Sequence, residues 1–221
     1  LSSNKIIKKF SDKFEMVKIL KKNKIPHPKT FEFNIENLKK NNIKFPVILK
    51  NKTGTSAREV FFVKNLKELK LRAQLLNKPI VQEYIGQKDN NFQEFTCSFF
   101  KTKQSKILGP FLGKRSLKFG TSWIFQNIKN SILRKLILKI SKLDNFEGSI
   151  NVQLRYHKKK FIPFEINPRY SGTTVLRSLQ GFNEPEMYIK NFFLNKKIIN
   201  SKIKNKGVYF RYIDEKFTTH K

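Results

Sequence analysis

Two runs in the C-terminal half, GSINVQLRY (148–156) and KFIPFEIN (160–167), are joined only by His157, Lys158 and Lys159. Both are rich in β-formers, and so short a connection makes them an antiparallel hairpin. Residues i and i+2 of a strand share a face, so Glu165 and Asn167 point together, as do Asn151 and Gln153 on the partner strand. All four side chains carry oxygen. A carboxylate with amide carbonyls is a hard-oxygen set, suited to Mg²⁺. Gln153 joins Glu165 on one face only if paired residue numbers sum to an even value. A two- or four-residue loop centred on Lys158 and Lys159 gives an odd one, so the reading expects an odd loop or a bulge within YHKKK. Pro168 has no N–H and ends the ladder, and Arg169 then projects from the strand end, where a phosphate would lie. The plainer alternative is a surface hairpin whose polar face is solvated.

The formal charge of +31 raises nucleic acid and anionic membranes as partners. The residue choice argues against both. Only eight of the 47 basic residues are Arg (58, 72, 115, 134, 155, 169, 177 and 211), and the Lys excess accompanies abundant Asn, Ile and Phe. Base and phosphate readers favour the planar fork of Arg. A polyanionic ligand such as a nucleotide would still gain from the field. No apolar run approaches the ~18 residues of a membrane span, and no signal-peptide pattern opens the chain. A lone cysteine, Cys97, fits a reducing, cytoplasmic setting and reads as a buried small hydrophobe. The first residue is Leu, so an excerpt or a processed product is expected.

Along the chain, DKFEMVKILKKNKIPHPKTF reads as a helix stopped by Pro26 and Pro28. KTFEF is a short strand and NIENLKKNN a short helix capped by Asn34. FPVILKN, EVFFVKN and PIVQEYI are strands, with NLKELKLRAQLLN an amphipathic helix among them. This order makes a compact α+β unit over 29–85. Strands are expected at 93–101, 105–112 and 119–126, and a helix at 128–142. After the hairpin, the helix EPEMYIKNFFLN and the strand GVYFRYID close the chain. The division expected is a linker and helix (1–28), a small subdomain (29–85) and a large one carrying the metal site (86–221), hinged near residue 85.

EINPRYSG, with GSINVQ ahead of it, resembles the metal-binding signature of the ATP-grasp superfamily, nearest the form in the large subunit of carbamoyl-phosphate synthetase. The likeness runs from DKFEMVKILKKNKIPHPKTF through FPVILKNKTGTSAREVFFV and VQEYIG to FRYIDE. It implies an ATP-grasp fold, two α+β subdomains clasping a nucleotide. It implies ATP and Mg²⁺ (or Mn²⁺), with Gln153, Glu165 and Asn167 as metal ligands. Lys50 is implied to contact the phosphates. The loop Thr53–Arg58, including Thr55 and Ser56, would cover them. Backbone groups of Glu83, Tyr84 and Ile85 would hold adenine, and Glu94 the ribose, although QKDNNF lengthens the link before Glu94. Arg169, and Arg115 in preference to Lys114 or Lys118, would act on the transferring phosphoryl group. The implied activity is a carboxylate–amine ligase that acts through an acyl phosphate on small-molecule substrates, as a homodimer in one version. Relatives begin with a Rossmann-like domain that this segment lacks. The alternatives are a nucleotide-binding module without turnover and a Lys-rich binder of nucleic acid or an anionic surface.

Overall fold

Alternation along the strands sorts the chain into two antiparallel sheets. A computed structural model describes residues 2–54, 59–86, 93–118, 120–199, 203–204 and 207–212. The first sheet has the order β1 (Thr30–Glu32), β4 (Pro79–Glu83), β2 (Val47–Asn51), β3 (Val60–Val63), with α3 (Ile35–Lys40) and α4 (Leu66–Ala73) in its crossovers. Asn34 and Asn65 start these helices by accepting the backbone N–H of Asn37 and Glu68. Val47 and Leu49 join Val63, Leu69 and Val81 in the core of this unit. Ile48 and Lys50 alternate with them and face a cleft.

The second sheet has the order β10 (Val208–Phe210), β7 (Thr121–Asn127), β6 (Ile107–Lys118), β5 (Gln93–Lys101), β8 (Gly148–His157), β9 (Lys160–Asn167). One face buries Phe95, Cys97, Phe99, Ile150, Val152 and Leu154 against α1 (Asn4–Ser11), α2 (Lys13–Lys22) and α5 (Ser131–Ile140). Burial pushes the Cys97 thiol up to about 12, so it behaves as the small hydrophobe expected. The alternate positions put Glu94, Thr96 and Ser98 of β5 beside Arg155, Gln153 and Asn151 of β8 on the opposite face. Farther along, an apolar cluster of Phe100, Phe111, Phe125, Phe182 and Met187 accompanies α6 (Thr174–Leu179), α7 (Glu184–Tyr188) and the π-helical turn Ile189–Phe193. No helix among the described residues is long and apolar enough to cross a membrane.

The β8–β9 register pairs Gln153 with Glu165, as the oxygen pattern required, but the means differ from the expectation. His157 pairs with Lys160, leaving a two-residue turn in which Lys158 and Lys159 take φ of 47° and 60°. Two left-handed residues give the twist that such a turn needs. The shift comes deeper: Leu154 pairs with Pro163 and Gln153 with Glu165, so Phe164 is the extra residue. Pro163 cannot donate to a ladder, and an edge strand beside a bulge tolerates it.

Other boundaries move as well. The helix expected at 128–142 forms at Ser131–Ile140, and the strand expected to stop at 112 continues to Lys118. GKRS resembles a turn, but Gly113 is needed within the strand: a Cβ there would lie 2.3 Å from the Phe125 ring. Helices α1 and α6 were not anticipated, and the helix read over EPEMYIKNFFLN is α7 followed by the π-helical turn.

Candidate functional site

Between the two sheets lies a cavity of about 280 Å³. Its walls carry the cations Lys13, Lys50, Arg115, Arg155 and Arg169 and the carboxylates Glu59, Glu83, Glu94 and Glu165. Ile48, Val60, Ile85, Leu117 and Phe164 supply apolar surface. A concave site that combines apolar surface with charged groups of both signs has the character of a small-molecule pocket.

Lys50 is nearly inaccessible, and its Nζ donates to Gln82 Oε1 at 2.8 Å. Gln82 in turn donates to Thr30 Oγ1, so the ammonium is held by a neutral amide fixed across the sheet. Among the described residues no carboxylate forms an ion pair with Lys50. Burial lowers its pKa to about 7; Glu165 opposes that shift and Lys13 and Arg155 add to it. The helix α2 brings in Lys13, whose backbone N–H bonds Lys52 O at the end of β2. Its Nζ donates to Gly54 O at 2.7 Å, and burial lowers its pKa too.

Glu94 is pinned between two arginines. Its Oε1 accepts from Arg115 Nη2 at 2.6 Å and its Oε2 from Arg155 Nε at 3.2 Å. Arg115 Nη2 also donates to Gln153 Oε1 at 2.7 Å. Glu165 differs: among the described residues its carboxylate makes no hydrogen bond or ion pair, although it lies in the field of Lys50 and Lys13.

The structure gathers Lys50, Glu83, Ile85, Glu94, Arg115, Gln153, Glu165 and Arg169 of the expected residues onto this cavity wall. Tyr84 and Asn167 do not line it: the Tyr84 ring stacks edge-on with Phe62, and Asn167 is buried opposite Asn151. Thr55 and Ser56 lie outside the described residues. The backbone of 83–85 is partly engaged, since the Glu83 N–H bonds Lys29 O and Ile85 O accepts from Arg155 Nη1. Sequence reasoning missed Lys13, Gln82 and Arg155. Lys13 had no signal among so many lysines. Arg155 had one, because it follows Asn151 and Gln153 at the same two-residue spacing.

The donor set bears on a divalent cation. No three His, Cys, Asp or Glu side chains among the described residues converge on a metal site. Glu165 offers an unshared carboxylate, and Gln153 offers an oxygen already touched by a guanidinium. That set fits Mg²⁺, which takes one or two protein oxygens and completes its shell with phosphates and water.

Two antiparallel sheets on either side of a cleft lined by both cations and carboxylates define the class, an α+β protein. Residues 10–98 match the family described as "RimK-like ATP-grasp domain", and residues 124–215 the family described as "ATP-grasp in the biosynthetic pathway with Ter operon". Two separate segments, each under half of the chain, thus match ATP-grasp family descriptions. Over 88 residues it is 36% identical to a coenzyme gamma-F420-2:alpha-L-glutamate ligase of Methanocaldococcus jannaschii, covering 37% of this chain and 31% of that protein. The fold is shared with N5-carboxyaminoimidazole synthetase from Staphylococcus aureus complexed with ADP (TM-score 0.74, 14% identity, 92% of this chain and 57% of that one). It is shared also with an L-amino acid ligase from Bacillus licheniformis (TM-score 0.66, 17% identity, 83% and 48%). The chain thus spans about a third to just over half of the length of these proteins.

Proposed function

We propose that the cleft binds ATP with Mg²⁺, and that the protein activates a small carboxylate as an acyl phosphate for attack by an amine. The observation that carries this is the unshared Glu165 carboxylate facing Lys50 across a cleft of an ATP-grasp fold. The EINPRYSG signature, of the carbamoyl-phosphate synthetase kind, supports the same reading. Glu165 and Gln153 would hold the metal, with Asn167 behind them. The metal, when bound, neutralises and orients phosphate oxygens.

Lys50 and Lys13 would bind the phosphates, and Arg169 would stabilise charge on the transferring group. Arg115 orients Gln153 and Glu94. An oxygen of the substrate carboxylate would attack the γ-phosphorus as the bond to the β-phosphate oxygen breaks, releasing ADP. The amine nitrogen would then attack the acyl carbon. The C–O bond to phosphate breaks, phosphate leaves with the electron pair, and the amine loses a proton to solvent. The residues position and neutralise, and no side-chain nucleophile is required.

An ADP-release screen over pairs of carboxylates and amines tests this. ADP that forms only when both partners are present supports the ligase. MgATP that binds without turnover for any pair points to a nucleotide-binding module, and failure to bind MgATP overturns the reading.

A pH dependence follows from Lys50. With its pKa near 7 in the free cleft, Lys50 is half deprotonated at neutrality, and a triphosphate favours the charged form. Binding should therefore take up a proton, and the MgATP Kd should rise about fivefold between pH 7 and pH 8. Calorimetry in buffers of different ionisation enthalpy measures both quantities, and Lys50→Met should flatten the profile. Stability moves the opposite way. The unfolded lysine keeps its proton up to 10.5, so the penalty for burying it is full below pH 7 and fades as pH rises towards 10.5.

A further inference from the structure

Beyond the strand end, one arginine organises a whole turn. Arg177 and Glu184 are both fully buried, joined by Nε to Oε2 at 2.7 Å. Among the described residues the other guanidinium nitrogens bond only hydroxyls: Nη1 donates to Ser171 Oγ at 3.1 Å and Thr173 Oγ1 at 2.5 Å, and Nη2 to Thr174 Oγ1 at 3.0 Å. Glu184 is itself anchored from below, its Oε1 accepting from Ser98 on β5 and from Ser149 on β8. Ser98 pairs across the sheet with Asn151, on the face that carries Gln153 and Glu94. The turn is thereby tied to the two strands that floor the cleft.

A buried ion pair is a poor device for stability alone, because its desolvation offsets much of the attraction. Its strength is geometry: the rigid fork of Arg can hold several acceptors at fixed relative positions. The residues held here are Ser171, Thr173 and Thr174, and Ser171 stands two residues after Arg169. The Arg169 N–H already bonds Asn167 O, so the segment between β9 and the clamped turn has little slack.

We propose that Arg177 is a positioning residue. Through the hydroxyls of Ser171 and Thr173 it fixes the turn after β9, and with it the placement of Arg169 on the cleft wall. The consequence for catalysis rests on the role proposed for Arg169; the clamp itself does not.

The test is the double variant Ser171→Ala/Thr173→Val, which leaves the Arg177–Glu184 pair intact. In the nucleotide-free protein, amide exchange at residues 169–174 should accelerate at least tenfold while β8 and β9 are unchanged. In the presence of MgATP and a competent substrate pair, ADP formation should fall about tenfold with the MgATP Kd within twofold. Adding Arg169→Ala should bring no further loss relative to Arg169→Ala alone. Thr173→Ser, which keeps the hydroxyl, should retain both protection and rate, and Ser171→Ala alone gives an intermediate case. Unchanged exchange at 169–174, or rate losses that multiply with Arg169→Ala, would overturn the proposal. A wild-type chain that forms no ADP would refute the ligase reading, and the exchange measurement would still decide the clamp.

Discussion

Glu165→Gln is expected to leave the fold intact and nearly abolish turnover. The Glu165 carboxylate has no partner among the described residues, so its loss breaks no ion pair, and the isosteric amide keeps the strand packing. Neutralising it removes the cleft carboxylate that, among the described residues, makes no hydrogen bond or ion pair and could hold a divalent cation beside the phosphates. Metal stabilisation of a phosphoryl transfer is worth several kcal/mol, so ADP formation should drop by about 100-fold or more. Gln153→Ala should cost less, because the Gln153 oxygen is already shared with Arg115. Steady-state ADP release with thermal melting as a fold control separates the two effects. Equal activity of wild type and Glu165→Gln would remove the metal assignment.

Glu94→Ala should be the most destabilising change in the cleft. Glu94 is 3% exposed and faces Arg115 and Arg155, which are 11% and 19% exposed. Deleting the carboxylate leaves two largely buried guanidiniums side by side, without their common counter-ion. Breaking a buried pair in this way costs about 3 kcal/mol, the lower end of the usual range because the arginines retain some solvent. For a chain of this size that corresponds to a melting temperature lower by about 6–12 °C. Urea denaturation measures the loss directly. A change below about 1 kcal/mol would mean that Arg115 and Arg155 find other partners or water. The same pinning bears on the ribose role implied for Glu94, since ribose hydroxyls would have to share a carboxylate that two arginines already hold.

Much of this arrangement was legible because alternation is a strong signal. The two-residue spacing put Asn151 and Gln153 on one face and Glu165 and Asn167 on another, and chain parity demanded an odd loop or a bulge to unite them. Its place was less legible. The turn looked like the obvious site, yet two lysines tolerate left-handed backbone, and the shift moved to Phe164 beside Pro163. Pro163 was the overlooked clue. Lys13 was illegible for a different reason: in a Lys-rich chain no single lysine stands out, and only the docking of α2 on the end of β2 brings its ammonium to the cleft. The short α6 escaped because TVLRSL opens with β-branched residues, and its first turn is fixed by side-chain bonds from its own Arg177 back to Thr173 and Thr174 rather than by propensity. Asn167 was read correctly as sharing a strand face with Glu165. Burial opposite Asn151, which no linear pattern reveals, keeps it off the cavity wall.

The central claim is that Glu165 anchors a divalent cation beside a triphosphate held by Lys50 and Lys13. Co-crystallisation with Mn²⁺ and a non-hydrolysable ATP analogue, with anomalous scattering to locate the metal, tests it most directly. The account predicts an anomalous peak within bonding distance of a Glu165 oxygen and of the analogue's phosphates, with both ammonium groups on those phosphates. A peak elsewhere, or a nucleotide bound away from this cleft, would contradict it.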